Sequence, residues 1–321
     1  MTMNIHVLVL IELEPEASSS LQRAGFHLHV ASNPEDRAAL VPSMRNEIRA
    51  ALTNGSVGLS AEYMATLPQL EIICALGAGY ENVDLAAART AGIVVTHGPG
   101  TNDASVADHA VALLMAIARG IPQADAAVRR GEWNRSRQPR PMISGKRLGL
   151  LGLGTIGMQI ARRATGGFGM SIGYHNRKPL ADTPHLYFST PAALARWCDF
   201  LMVATPGGAT TVHLVDANVL EALGPDGFLI NIARGSVVDT AALGEALKHR
   251  RIAGAALDVI EGEPNVPEAI TRLSNVILTP HIAGRSPEAI AATLQLVLDN
   301  LSAHFQGVPV LTPVFVPPMN I

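Results

Sequence analysis

Residues 147–157, RLGLLGLGTIG, constrain this chain more than any other stretch. An apolar run passes without a break into Gly152-x-Gly154-x-x-Gly157 and on into a helix-forming segment. The first glycine permits a tight turn, the second lets backbone approach a pyrophosphate, and the third lets helix pack on strand with its N-terminus facing the anion. Glycine turns are common and methyltransferases use similar loops, so it is the flanking strand and helix that turn the motif into a nucleotide site.

A length of 321 residues exceeds one core at about 100 to 200 residues per domain, so two lobes are expected. The net charge of −3 and a charged fraction of 16% point to neither nucleic acid nor an anionic membrane. The apolar run at residues 5–11 is too short to span a bilayer and lacks a signal-type pattern, so it reads as a buried strand. Cys74 and Cys198, far apart near strand-like segments, suit reduced core thiols in a cytoplasm better than a disulfide, and no metal is expected.

Short apolar runs at 5–10, 27–30, 49–53, 71–75 and 93–95 read as a small parallel α/β lobe. An alanine-rich helix over 103–119 leads to an arm at 129–146. Its Arg129, Arg130, Arg135, Arg137 and Arg140 fit a solvated face or a subunit contact better than an anion site, and Trp133 reads as a packing or dimer residue. A second series of strands follows at 147–153, 171–175, 200–204, 228–232, 253–257 and 276–278. Runs without alternation are what strands buried on both faces require, so this lobe is a doubly wound sheet. A last helix begins with Ser286 as N-cap and Pro287 in its first turn, and should pack back on the first lobe.

Open parallel sheets bind ligands beyond the carboxyl ends of their strands. There the sequence places Arg234 after GFLINIA, Asp258 and Glu261-Gly-Glu263 after AGAALDV, and His281 after NVILTP. Each alone reads as a strand cap, a loop acid or a core histidine; together they suit hydride exchange between a nicotinamide and a 2-keto acid. Arg234 can hold carboxylate and carbonyl through its planar fork. His281 can supply the proton, and Glu263, bonded to its other nitrogen, would favour the charged imidazole.

GAGYENVD at 77–84, NDASVADHAVALLMAIAR at 102–119, GLLGLGTIG at 149–157, INIARGSVVD at 230–239, ALDVIEGEP at 256–264 and NVILTPHIAG at 275–284 follow one another in order. In these the chain resembles the D-isomer-specific 2-hydroxyacid dehydrogenases, most closely the glyoxylate/hydroxypyruvate reductase branch, over nearly its whole length. The resemblance implies two Rossmann-like α/β domains with doubly wound parallel sheets: a flavodoxin-like substrate domain from 1–100 and 285–321, and an NAD(P)-binding domain from 101–284. It also implies a homodimer joined through the latter. Arg234, Glu263 and His281 become the catalytic triad, the amides of Leu76, Gly77, Ala78 and Gly79 the substrate-carboxylate cradle, and Asp258 a contact to the nicotinamide amide. The cofactor set so implied is Gly152, Gly154, Thr155, Ile156, Gly157, Asn176, Arg177, Lys178, Thr205, Pro206, Ile232, Ala233, Asp258, His281 and Gly284.

An NAD-preferring site places an acid about 20 residues beyond the glycines, on the ribose hydroxyls. This chain reads His175-Asn176-Arg177-Lys178 there, so NADPH is expected over NADH. The substrate is expected to be a small 2-keto acid such as glyoxylate or hydroxypyruvate, with a 2-ketogluconate-type acid as the alternative. Residues 54–57 line the outer pocket or form a plain Asn-Gly turn. Arg285, where many relatives carry a smaller residue, either reaches a second polar group of the substrate or braces the hinge. A nucleotide-sensing, corepressor-like protein is the non-enzymatic alternative; the short chain ends, without docking tails, favour an enzyme.

Overall fold

The regularly spaced apolar runs are strands, and the computed structural model, which describes residues 5–315, sorts them into two sheets. In the first unit, residues up to Asn102 and from Ser286 onward, the strands are β1 (Ile5–Val9), β2 (Phe26–Val30), β3 (Ile48–Asn54), β4 (Ile72–Leu76) and β5 (Val94–Thr96). They pair in parallel in the order β2-β1-β3-β4-β5, the flavodoxin-like order. A further strand, Pro313–Phe315, runs antiparallel along β5. It escaped the sequence reading because its three residues open on a proline, which a sheet accepts at its edge.

Alternate residues of these strands serve opposite faces. Leu8, Ile48, Ala51, Ile73 and Val95 enter one core with Leu59, Met64 and Leu67, whereas Val7, Val9, Leu52, Ile72 and Cys74 enter the other. The second core is completed by Val297 and Leu301 of the helix Pro287–Phe305, whose start is fixed by Ser286 Oγ accepting the Ala289 N–H at 3.2 Å. The C-terminal helix thus belongs to the first unit, although most of the sequence separates the two.

The second unit, Asp103–Arg285, carries β6 (Arg147–Leu151), β7 (Ser171–His175), β8 (Leu186–Tyr187), β9 (Phe200–Val203), β10 (Phe228–Asn231), β11 (Gly254–Leu257) and β12 (Val276–Leu278). All pairings are parallel, in the order β8-β7-β6-β9-β10-β11-β12. The chain leaves β6 to one side and returns with β9 on the other, so the crevice for a dinucleotide opens at the carboxyl end of β6. Phe200, Met202, Phe228 and Ile230 face the helices Asp103–Arg119 and Thr155–Phe168; Leu201, Val203 and Leu229 face Leu194, Val219, Leu220 and Leu243 on the other side. β6 stops at Leu151, two residues before the expected end, because Gly152 turns the chain with φ +100°.

Cys74 and Cys198 are both buried and free, and burial pushes each thiol up to about 12. No single helix among the described residues is long and apolar enough to cross a membrane. In the arm, Arg129 pairs with Asp125 at 2.9 Å and Arg130 with Glu132 at 3.0 Å, while Trp133 is 62% exposed.

Leu301 is fully buried, and Leu301→Ala should lower the unfolding free energy by about 2–5 kcal/mol in chemical denaturation. A loss within error of zero would show that the helix does not close this core.

Candidate active site

The glycine turn is built as its spacing demands. A Cβ on Gly152 would stand 2.7 Å from the Ala204 carbonyl oxygen, so β6 and β9 approach closely at the turn. On Gly157 it would stand 2.3 Å from the Gly152 carbonyl oxygen, so the helix Thr155–Phe168 rests directly on the turn. Around Gly154 there is open space. The first-turn amides at Thr155, Ile156 and Gly157 lack intrahelical acceptors by helix geometry and carry the positive end of the dipole. A pyrophosphate fits this cradle, and a side chain at Gly154 would enter it.

Asn176, expected only as a cofactor contact, holds the turn: its Oδ1 accepts the Leu153 N–H at 2.8 Å. Arg177 and Lys178 follow it, both exposed. The segment is tied from behind, where the Tyr174 hydroxyl accepts the Leu180 N–H at 2.8 Å. Thr205 is half-buried and Pro206 exposed just beyond β9.

Arg234 follows β10 in a turn organised by Asn231, whose side chain accepts the Ala233 N–H at 3.1 Å and donates to the Arg234 carbonyl at 3.0 Å. Ile232 and Ala233 are buried beneath it. The guanidinium donates from Nη1 to the Ala233 carbonyl at 2.7 Å. Gly235 lets this loop touch the next one, since a Cβ there would stand 2.1 Å from the Ile260 carbonyl carbon.

Glu263 and His281 meet: the imidazole Nδ1 and the Glu263 Oε1 are 2.7 Å apart. Burial, the largest single influence, pushes the Glu263 carboxyl up. The hydrogen bond and charge of His281, the Ile260 N–H and the Arg234 guanidinium together outweigh it and hold the acid below its usual range. The Glu263 carboxylate thereby touches His281 and feels the charge of Arg234.

His281 has a left-handed backbone, φ +55°, and Asp258 keeps it there. This buried carboxylate accepts the Thr279 hydroxyl at 2.6 Å and the Ile282 and Ala283 N–H groups at 2.9 Å each, while its own carbonyl accepts the His281 N–H at 2.9 Å. His109, from the helix Asp103–Arg119, lies 3.1 Å from the Thr279 hydroxyl. Asp258 therefore supports the histidine loop, a role the spacing of residues did not disclose. The polar His109 inside an apolar helix was the available signal for its own part. Gly284 is half-buried and Arg285 exposed at the end of the unit, where the Arg285 N–H donates to the Ile282 carbonyl at 2.9 Å.

In the first unit, Leu76 ends β4 and Gly77 turns the chain with φ +85°. The Gly77 carbonyl accepts the Gly98 N–H at 2.7 Å, and the Ala78 carbonyl lies 3.0 Å from His97 Nδ1. In a trans peptide N–H and C=O point oppositely, so the amides of Ala78 and Gly79 are aimed away from these braces. Residues 54–57 form an Asx turn, Asn54 Oδ1 accepting the Val57 N–H at 2.8 Å. The turn sits against the same loop, a Cβ on Gly55 falling 2.9 Å from the Gly79 carbonyl carbon.

A parallel dinucleotide sheet with a cation, an acid and an imidazole at its carboxyl edge defines a nicotinamide-dependent oxidoreductase. Residues 111–283 match the family described as D-isomer specific 2-hydroxyacid dehydrogenase, NAD binding domain. The glyoxylate/hydroxypyruvate reductase A of Arabidopsis thaliana is 39% identical over 97% of this chain and 99% of its own. The 2-ketogluconate reductase of Gluconobacter oxydans is 40% identical over 96% and 98%. An NADPH-dependent glyoxylate/hydroxypyruvate reductase from Sinorhizobium meliloti, solved with NADP and malonate, superposes with a TM-score of 0.90 at 41% identity, covering 98% of both chains. The chain belongs to the D-isomer-specific 2-hydroxyacid dehydrogenase family and is an NAD(P)-dependent oxidoreductase.

Asp258→Asn would turn an amide donor toward N–H groups that now find an acceptor. It should cost about 1–3 kcal/mol of unfolding free energy and lower kcat more than it raises KM for the cofactor. Unchanged stability in thermal and denaturant unfolding would remove Asp258 from its supporting role.

Proposed function

We propose that the protein reduces a small 2-keto acid, glyoxylate or hydroxypyruvate, to the D-2-hydroxy acid with NADPH. The observation that carries this reading is the 2.7 Å contact of His281 with a carboxylate that also feels the charge of Arg234. With Nδ1 engaged by Glu263, Nε2 is the nitrogen left to give a proton to the substrate oxygen and, in the reverse direction, to take it back. Arg234 binds the carboxylate and polarises the carbonyl. When bound, the dihydronicotinamide supplies the hydride. The amides of Leu76, Gly77, Ala78 and Gly79, of which those of Ala78 and Gly79 are aimed away from their braces, are assigned to a substrate carboxylate, and Arg285 to a substrate oxygen further along. The first unit is thus the substrate-binding domain and the second the cofactor domain.

Gly152, Gly154, Thr155, Ile156 and Gly157 would hold the pyrophosphate. Thr205, Pro206, Ile232, Ala233, Asp258 and Gly284 would flank the nicotinamide half. Arg177 and Lys178, directly after the Asn176 that clamps the glycine turn, would pair with a 2′-phosphate; the relative from S. meliloti that carries NADP supports this choice. A 2-ketogluconate-type substrate is the second reading, favoured by the match to the Gluconobacter enzyme. We place the protein in the cytoplasm, in keeping with its free buried thiols, and expect a homodimer, which light scattering would test.

His281→Gln should lower kcat for glyoxylate with NADPH by about 10²- to 10⁴-fold, the range of a lost acid–base group; turnover at the wild-type rate would defeat the mechanism. A carboxyl held below its usual range keeps the pair with His281 at neutral pH and loses it as pH falls through that lowered value. The acid limb of kcat/KM should therefore report Glu263 and disappear in Glu263→Gln.

Arg177→Ala should raise KM for NADPH about tenfold or more with little effect on NADH. A wild-type kcat/KM higher with NADH than with NADPH would reverse the cofactor assignment. A panel of 2-keto acids of increasing length would decide between the two substrate readings.

A further inference from the structure

The loop that carries Glu263 presents a second acid, Glu261, to a second histidine. His213 Nε2 lies 2.7 Å from Glu261 Oε1, the separation found in the catalytic pair. His213 shares with His281 a rare backbone, φ +51°, which a residue with a Cβ adopts only where its surroundings enforce it. It sits in the loop after β9 that begins at Thr205 and Pro206, and the Thr211 hydroxyl of that loop donates to the Pro206 carbonyl at 2.9 Å.

The other oxygen of Glu261 accepts the Thr240 N–H at 3.0 Å, at the start of the helix Thr240–Lys248. The His213 N–H donates to the Ser236 carbonyl at 2.8 Å, two residues past Arg234, and the Val215 N–H to the Val237 carbonyl at 3.0 Å. Gly235 closes the figure by touching the backbone of Ile260 and Glu261. One exposed histidine and one acid therefore join three loops: the one after β9, the one with Arg234, and the one with Glu263. Nothing in the chemistry assigned above uses either of them.

We propose that His213 and Glu261 are positioning residues, an ion-paired staple that holds the Arg234 loop and the Glu263 loop in register for His281. The proposal rests on the reading of Arg234, Glu263 and His281 as the reacting set. The charged groups facing His213 are Glu261, from the loop after β11, and Asp239, whose carboxylate is 4.0 Å from Nδ1 and caps the helix Thr240–Lys248; its own loop from Thr205 to Val215 brings no charge but the imidazole itself.

The staple makes the site sensitive to pH. The hydrogen bond that His213 makes to Glu261 is the largest influence on its value; burial, the next, opposes it, and the charges of Glu261 and then Asp239 add to it, so that the His213 value is raised. A histidine so raised holds its partner below that value and releases it as pH climbs through it.

The test compares three variants of the full-length protein with wild type, using NADPH and glyoxylate across pH. His213→Asn tolerates the left-handed backbone but removes the cation. At neutral pH it should lower kcat by roughly three- to fivefold, as the loss of an exposed ion pair allows, with KM for NADPH nearly unchanged. The deficit should shrink at alkaline pH, where wild type has itself lost the pair. His213→Arg keeps a cation that does not titrate and should stay close to wild type while declining less on the alkaline side. Glu261→Gln should match His213→Asn.

A deficit that is the same at every pH, or no deficit in any variant, would overturn the staple. Amide hydrogen exchange, which needs no turnover, gives the second readout: His213→Asn should speed exchange at Asp239, Thr240 and residues 258–265, and unchanged protection there would also overturn it. If His281→Gln retains full turnover while exchange changes as expected, it is the assignment of the reacting set that fails and the staple that stands.

Discussion

Parallel pairing is the constraint from which the site follows. Strands that all run the same way deliver their carboxyl ends to one edge, and each crossover must start there in a loop that no ladder bond organises. In the second unit the sheet is apolar on both faces, so it tolerates almost no polar group along the strands. Chemistry is confined to the first residues beyond them. Arg234, Asp258 and the glycine turn are all found there because the core excludes them from anywhere nearer.

Those loops still need holding, and short polar side chains do it. Asn176 after β7 takes the Leu153 N–H, Asn231 at the end of β10 shapes the turn of Arg234, and Asp258 after β11 gathers three donors from the loop of His281. Asn176 and Asp258 reach across to a neighbouring backbone segment, so their turns are coupled to one another as well as to their own strands, whereas Asn231 closes the turn that follows its own strand. An amide or carboxylate one carbon from its Cα is suited to this, having little rotamer freedom to lose and an oxygen close to the backbone.

The sequence made the scaffold legible because burial writes a simple code. Unbroken apolar runs announced most strands, and the two-residue β8 and the proline-led strand at residues 313–315 were missed because runs so short carry no pattern. Arg234, Glu263 and His281 drew attention in the sequence because polar residues shortly after an apolar run stand out. What a side chain bonds to was not visible. Asn176, expected by position as a cofactor contact, also clamps the backbone of the glycine turn, and Asp258, expected beside the nicotinamide, also anchors the loop of His281. His109 and Thr279 join that anchor across 170 residues of chain, a separation no local pattern can bridge.

The left-handed turn at His281 shows why so much of the site is support. A residue with a Cβ gives up roughly 1–2 kcal/mol to stand in that conformation, and a loop left to itself would relax out of it. Hydrogen bonds to a charged acceptor contribute about 1.5–3 kcal/mol each, so the three that Asp258 receives together exceed the strain. The imidazole is therefore not free to follow its backbone preference. Its Nδ1 is committed to Glu263 and its main-chain N–H to the Asp258 carbonyl, which leaves rotation of the ring opposed at both ends. The acid–base role proposed for His281 requires its reactive nitrogen to stand where the proton is needed before the reaction begins, and the acid on each side of the histidine, one buried and one half-exposed, sets that position.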